Sequence, residues 1–512
     1  KKYTVKTSAS LSGVLHLGRL SDTIRGESVF RALEDAGAKA ELIWVAEDMD
    51  PLRKVPKGVP KEYEDYIGVP VTDIPDPGGC HKSYAGHHVA EYFKVLDDFV
   101  TADMRKYSMR EEYKRGSFRE QIKKILNDAE TIIEIQNKYR RNKLRPGWSP
   151  WTPICQECRK IITPKITGFE GGKVFYSCED YKFETTTAKG CGFEGENDPL
   201  KGEGKLLWKS EWAAQWAHWQ VVSEGAGKEY QVPGSAFWIN AEIVEHVLDF
   251  PSPFPIFYEH IIIDGEKMSA SRGNVVYPED WLAVADAELL RFFYNKKLMK
   301  TRSFSWKDLP KLYDDYDRHG KVYFGELQIE NKKEGKHMKR LFEISQKGKP
   351  VKGFVLPFDF AAIIAQVIPE GNLVEGATRI LQATGHIRGK LDKDSVAVLE
   401  ERLAHARAWS DKYAPPESRI VVRESIDGKI SHRLSARQKG ALKDLLHVLE
   451  KGPDEGKLTD AFWDIAKKNG IEAKELFGAA YMVLLGKERG PRLAPFILAV
   501  GIERVVKLLR EL

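Results

Sequence analysis

Long apolar runs are missing from this chain: nowhere do its 512 residues approach the roughly 20 consecutive apolar positions of a membrane-spanning helix. No signal-peptide pattern opens it, although it begins Lys1-Lys2-Tyr3 without a Met. Cysteine is scarce. Five in so long a chain exclude a disulfide scaffold and point to a reducing compartment, so a cytoplasmic protein is expected. Repeats of fixed period and low-complexity tracts are also lacking, which leaves no sign of a repeat array or of extended disorder. Nor is there a strong excess of one charge. Eighty Lys and Arg against 75 Asp and Glu leave +5, compatible with a polyanionic partner without requiring one.

What is present is ordinary globular material: 42% hydrophobic, 30% charged and 11% aromatic residues. The length exceeds one core and predicts about two to four domains. Thr4 to Thr7 reads as a strand start, Ser8 to Gly13 as a small-residue loop, and Leu17 to Ala36 as a helix closed by Gly37. Glu41 to Val45 is a short apolar run suited to a buried strand, completing a βαβ unit. His88 to Met104 and Glu120 to Lys143 read as helices, and Ile261-Ile262-Ile263 as a second buried strand. Residues 154–204, rich in Gly, Thr, Lys and Cys, read as a small inserted module. After Tyr277 apolar spacing near 3.6 dominates, with Ile329 to Lys339 as an exposed linker.

Two short patterns carry chemistry. Ser10-Leu11-Ser12-Gly13-Val14-Leu15-His16-Leu17-Gly18-Arg19 lies where the first strand hands over to the first helix, the nucleotide-binding side of a doubly wound sheet. Small residues admit backbone amides to a ligand, and a helix N-terminus favours phosphate. Alone, the pattern is equally a helix start with an incidental His. The second, Lys267-Met268-Ser269-Ala270-Ser271, follows the Ile261-Ile262-Ile263 strand and supplies an amine and hydroxyls able to wrap a triphosphate. Together they resemble the two ATP-handling signatures of class I aminoacyl-tRNA synthetases.

Further runs narrow the resemblance. Arg53-Lys54-Val55-Pro56, Gly79-Cys80-His81-Lys82-Ser83-Tyr84-Ala85, Ala406-Arg407-Ala408-Trp409 and Leu484 to Phe496 are similar to class I, archaeal-type lysyl-tRNA synthetases, in family order along nearly the whole chain. The resemblance implies an α/β fold: a Rossmann-type catalytic domain with an inserted Cys-rich, zinc-ribbon-like module, then an all-α anticodon-binding domain. The expected pieces are catalytic halves 1–145 and 206–265, the module at 146–205, a connecting helical region at 266–330 and the anticodon-binding domain at 331–512. It further implies ligation of lysine to tRNA(Lys) through a lysyl-adenylate, with ATP and Mg²⁺, by a monomer not bound to membrane. His16 and Lys267 would act on the phosphates. Ser12, Gly13, Gly18, Arg19, Met268, Ser269 and Ser271 would complete the ATP site.

For the amino acid, the resemblance suggests Ser8, Ser10, Trp208, Glu211, Trp212, Glu229, Tyr230, Ser235 and Tyr258. Glu211, flanked by aromatics, is the first choice for the substrate ammonium. Glu47, Asp48 and Asp50 form a second acidic cluster. Several positions depart from the family pattern: Arg19 ends the first signature where His or Asn is usual, and Ser8-Ala9-Ser10 replaces a Gly-led loop. Glu229-Tyr230 stands for Asp-His, and Phe237-Trp238 for Tyr-Asp. A synthetase-like paralogue of altered specificity and a non-catalytic tRNA-binding protein are therefore the rival readings.

Cys155, Cys158, Cys178 and Cys191 fall in the inserted module. Cys155-x-x-Cys158 is half of a zinc ribbon, and the other two would complete a structural tetrathiolate, though four reduced thiols would also fit. Cys80-His81 alone reads as structural. The basic run Lys138 to Arg145 offers phosphate contacts.

Overall fold

The computed structural model describes residues 2–10, 16–56, 59–259, 261–268, 274–297, 300, 302–368, 370–426, 428–490 and 492–512, with backbone alone at 267, 302, 370, 383, 428 and 429. They divide into two compact units: Lys1–Pro278 with Leu290–Ser303 and Ile344–Gly348, and Glu279–Leu289 with Phe304–Glu343 and Lys349–Leu512. The expected connecting region 266–330 is thus split between the units. In the first unit, buried Arg291 shows how the late pieces attach. It ion-pairs with Glu27 and donates to the carbonyls of Phe99 at 2.6 Å and Ser345 at 2.9 Å.

The core of this unit is a parallel sheet of β1 (Tyr3–Ser10), β2 (Ala40–Glu47), β3 (Met104–Ser108), β4 (Val221–Gly227) and β5 (Phe254–Tyr258), in the order β5-β4-β1-β2-β3. Leu42 to Ala46 are all buried, as a strand covered on both faces requires. Helix α1 (Leu17–Asp35) connects β1 to β2 and packs so closely that a Cβ on Gly26 would meet Thr7 Cγ2 at 2.1 Å. The helix ends as expected: Gly37 adopts φ +78° and its N–H donates to the Glu34 carbonyl. Because order reverses between β1 and β4, the carboxyl ends of these strands flank a topological switch point, where ligands of such sheets bind.

Several elements differ from expectation. The helix expected over 88–104 is α2 (Tyr84–Phe99), started by Ser83, whose hydroxyl accepts the Gly86 N–H; Met104–Ser108 is instead the edge strand β3. The helix expected over 120–143 is broken at Asp128 into Arg119–Asn127 and Ala129–Tyr139. Ile261–Ile263 stays out of the main sheet and turns back through Asp264 and Gly265, both at positive φ, to pair with Glu266–Lys267.

The insertion leaves and returns on a two-stranded base, Trp151–Pro153 antiparallel to Gly204–Leu206. Its body is an antiparallel sheet of Pro164–Glu170, Lys173–Cys178 and Glu194–Asn197. The second unit is helical, including α5 (Leu309–Tyr323) and α6 (Lys393–Lys412). Its expected linker at 329–339 runs into a helix, Lys332–Ser345, anchored by buried Met338, Leu341 and Phe342. The α/β core, cysteine module and helical C-terminal region follow the expected class of fold.

Candidate active site

Register brings Ser8 beside Val45 and Ser10 beside Glu47 on one side of β1, and Lys6 beside Glu224 on the other. Gly227 pairs with Tyr258 at the ends of β4 and β5. Ser8, Ser10, Glu47, Gly227 and Tyr258 therefore share the carboxyl edge of the sheet.

Below that edge lie two internal cations. The fully buried Lys6 ammonium is 2.5 Å from Glu224 and 3.7 Å from Glu47. Glu224 also accepts the indole N–H groups of Trp212, at 2.7 Å, and Trp216, both on α3 (Trp208–Trp219). Lys205 lies 3.0 Å from Glu211 and 3.5 Å from Asp50. Tyr113 donates to the other Glu211 oxygen at 2.8 Å. Burial alone would lower the Lys205 ammonium, yet the adjacent Glu211 carboxylate raises it above its ordinary value. Burial pushes Glu47 up to about 8 and Asp48 up to about 6. Glu211 thus has a cation and a hydroxyl of this chain at its two oxygens, against its expected place as the carboxylate for a substrate ammonium.

Another buried carboxylate, not singled out in the sequence, bonds the edge of the sheet at Ser8. Asp22, on the second turn of α1, is buried, and its Oδ2 accepts the Ser8 N–H at 3.1 Å. Among the described residues Oδ1 has no well-aligned hydrogen-bond partner, the Tyr258 hydroxyl being the neighbour that faces the carboxyl, and it lies so close to β4 that a Cβ on Gly225 would meet it at 2.3 Å. Burial drives this carboxyl up to about 7, and Tyr258 and Glu224 both bear on it. The Arg25 guanidinium lies 5.3 Å from the Tyr258 ring centroid. Nearby, Trp208 stacks on Trp212 at 4.7 Å, and Tyr230 meets Trp212 edge-on at 5.2 Å. Ser235 precedes helix α4 (Ala236–His246) and donates to the Tyr230 carbonyl at 2.7 Å, so it orients the Glu229-Tyr230 turn.

The two signatures meet at one glycine. A Cβ on Gly18 would lie 2.9 Å from His16 Cε1 and 3.2 Å from the Met268 methyl, so ring and thioether both close over that backbone. His16 is the N-cap of α1, yet its side chain caps nothing, and no acidic residue stands in the first turn. Its Nδ1 is buried without a partner. Burial, then the Arg19 charge, lower the imidazole to about 4, so it is neutral at physiological pH. Leu17 is held on both sides: its N–H donates to the Val276 carbonyl and its own carbonyl accepts from Tyr294. Ser12, Gly13, Ser269 and Ser271 lie outside the described residues. Lys267 is described as backbone, paired with Ile262.

Two donor clusters among the described residues of the first unit suit metals. The sulfurs of Cys155 and Cys191 are 3.7 Å apart and those of Cys158 and Cys178 3.6 Å, with all four ligand atoms within 4.8 Å of one another. Zinc–sulfur bonds of about 2.3 Å at tetrahedral angles place sulfurs about 3.8 Å apart, so the set fits zinc. The second gathers further partners around Cys80-His81: Asp76, Cys80, His81 and His87 converge just as closely, with Cys80 Sγ 3.1 Å from His81 and 3.2 Å from His87, a set that could hold a metal ion. The signal lay in the spacing Asp-x₃-Cys-His-x₅-His. In the basic run, Lys138 is paired with Glu242 at 2.6 Å.

A family model described as tRNA synthetases class I (K) matches residues 1–348. The Lysine--tRNA ligase of Methanocaldococcus jannaschii is 34% identical over 520 residues, covering 99% of this chain and 96% of that protein. That of Thermococcus kodakarensis is 34% identical over 528 residues, covering 100% and 96%. That of Methanosphaera stadtmanae is 30% identical over 523 residues, covering 99% and 96%. A sheet reversing beside β1, two signatures packed on Gly18, and similarity running the length of its relatives have one source: the chain belongs to the class I (K) tRNA synthetases.

Proposed function

We propose that this chain ligates lysine to tRNA(Lys) through a lysyl-adenylate. The observation that carries the ATP half is the closure of His16 and Met268 over Gly18; the relatives, each a Lysine--tRNA ligase, supply the amino acid. A lysine carboxylate oxygen attacks the α-phosphorus of ATP and the bond to pyrophosphate breaks. The 2′-hydroxyl of the terminal tRNA adenosine then attacks the acyl carbon, and AMP leaves. Neither step needs a covalent enzyme nucleophile, so positioning and charge stabilisation dominate.

The positive end of the α1 dipole favours phosphate oxygens, and neutral His16 donates a hydrogen bond there without carrying charge into a buried site. Lys267 cancels charge on the departing pyrophosphate, and Ser269 and Ser271 hold its loop. Magnesium, bound with ATP, spreads the triphosphate charge. Asp22, with Tyr258, receives the substrate ammonium in place of Glu211, whose two oxygens already face Lys205 at 3.0 Å and Tyr113 at 2.8 Å. Ser8, Ser10 and the Glu229-Tyr230 turn border the same edge, with Trp208 and Trp212 as the apolar wall for the methylenes. The four cysteines would hold one zinc ion as a structural cross-link of the inserted module. The helical region meets the anticodon, and the protein works as a cytoplasmic monomer.

ATP–pyrophosphate exchange across the amino acids, with and without tRNA, tests the reading. Exchange with lysine alone supports it. Exchange only with another amino acid overturns the substrate, and tRNA binding without any exchange overturns catalysis.

A further inference from the structure

The helical second unit contains a group of chemistry-bearing side chains that the ligation reaction does not use. Asp286, immediately before the helix Ala287–Asn295, faces Glu401 and His405, which lie four residues apart on one face of α6. One ligand atom from each lies within 4.8 Å of the others. His405 Nδ1 is 3.5 Å from Asp286 Oδ1, and the two carboxyl groups are hydrogen-bonding neighbours.

The hydrogens of this cluster are already committed. Burial keeps the His405 imidazole neutral, with one N–H, and the ring hydrogen-bonds the Leu282 carbonyl. The Tyr313 hydroxyl, 3.3 Å from His405 Nδ1, donates its hydrogen to the Val284 carbonyl at 3.3 Å. Arg402, the neighbouring cation, is taken by Asp317 in two contacts at 3.1 and 3.3 Å and lies over the Tyr313 ring. The His405 ring and two carboxyl groups therefore converge; the hydrogen shared by Asp286 and Glu401 is the one a cation would displace, and Glu288 adds a further negative charge nearby.

We propose that Asp286, Glu401 and His405 bind a first-row divalent cation. One imidazole and two carboxylates form a mixed nitrogen–oxygen donor set suited to such ions, and the carbonyl bond of His405 is the kind of outer contact that orients a ligating imidazole. Three protein donors leave coordination positions for water. The ion ties the turn at Leu282–Asp286 to α6, so its role is to staple the helical unit. Its chemistry differs from that of the four-cysteine site, which prefers thiophilic ions.

The full chain, stripped of metal and free of ATP, is titrated with Mn²⁺ while free Mn²⁺ is followed by electron paramagnetic resonance. The expected result is one Mn²⁺ equivalent retained by the unaltered chain and by His87→Ala, and lost, with at least a tenfold weaker Kd, in Glu401→Gln and His405→Asn. Mn²⁺ should also raise the melting temperature of the unaltered chain but not of Glu401→Gln, whose exposed position makes it the safer variant should His405→Asn fail to fold. Equal Mn²⁺ binding by the unaltered chain and Glu401→Gln, or no retained equivalent in either, overturns the site. Because binding is read without lysine or tRNA, the outcome is independent of the ligase reading.

Discussion

Asp22 shows how much one buried carboxyl can govern. Its folded value of about 7 lies above the usual 3.8, so the folded protein holds a proton that the unfolded chain has released. The stabilising contribution of that proton is complete below about pH 4 and is lost as pH rises through about 7. In the proposed role, a substrate ammonium selects the ionised form. Lysine binding should therefore tighten by about tenfold between pH 6 and pH 8 with release of a proton, since about a tenth of such groups are ionised one unit below their pKa. In Asp22→Asn the pH dependence should vanish and the KM for lysine rise by about a hundredfold, with the KM for ATP little changed. A pH profile retained in that variant would assign the ammonium elsewhere. Glu211 looked better placed in the sequence because its neighbours are aromatic. That Lys205 folds back to within 3.0 Å of it depends on the two-stranded base of the insertion, a long-range pairing with no local signal.

Among the elements, α1 carries the most consequence. Gly18→Ala adds a helix-favouring residue worth up to about 1 kcal/mol, but its Cβ would displace the His16 ring and the Met268 methyl. The expected outcome is pyrophosphate exchange slowed by about a hundredfold, the size of losing one well-placed phosphate contact, with the melting temperature unchanged. Equal loss of stability and rate would mean that Gly18 serves packing alone. The legibility of elements followed burial. Leu42 to Ala46 and the α1 C-terminus were plain because apolar runs and a left-handed glycine are local properties. Met104–Ser108 was not, because an edge strand of Met, Arg, Lys, Tyr and Ser presents few apolar residues, and its place beside β2 is set by the sheet. The helix Lys332–Ser345 was hidden likewise: its charged face outnumbers the three residues that anchor it.

On the scale of the whole molecule, the order of pieces was legible and the division into units was not. Late pieces, 290–303 and 344–348, return to the first unit through contacts such as Arg291 with Glu27, which join residues far apart in sequence. The cysteine cluster supplies a molecular test. Metal analysis of the purified chain should find zinc, and Cys158→Ser should lose about one equivalent and melt at lower temperature, since so small a module depends on its cross-link. Unchanged zinc content in that variant would reject the four-cysteine site.

The two-stranded base of the insertion has an evolutionary consequence. Trp151 pairs with Leu206 and Pro153 with Gly204, so the chain departs from the core and re-enters it at neighbouring points. A segment held that way can be acquired, enlarged or exchanged in a single genetic event, because the strands that receive it need only a closed hairpin end. Divergence between relatives should therefore accumulate as length changes beyond Pro153, while the pair Trp151–Leu206 persists as the graft junction.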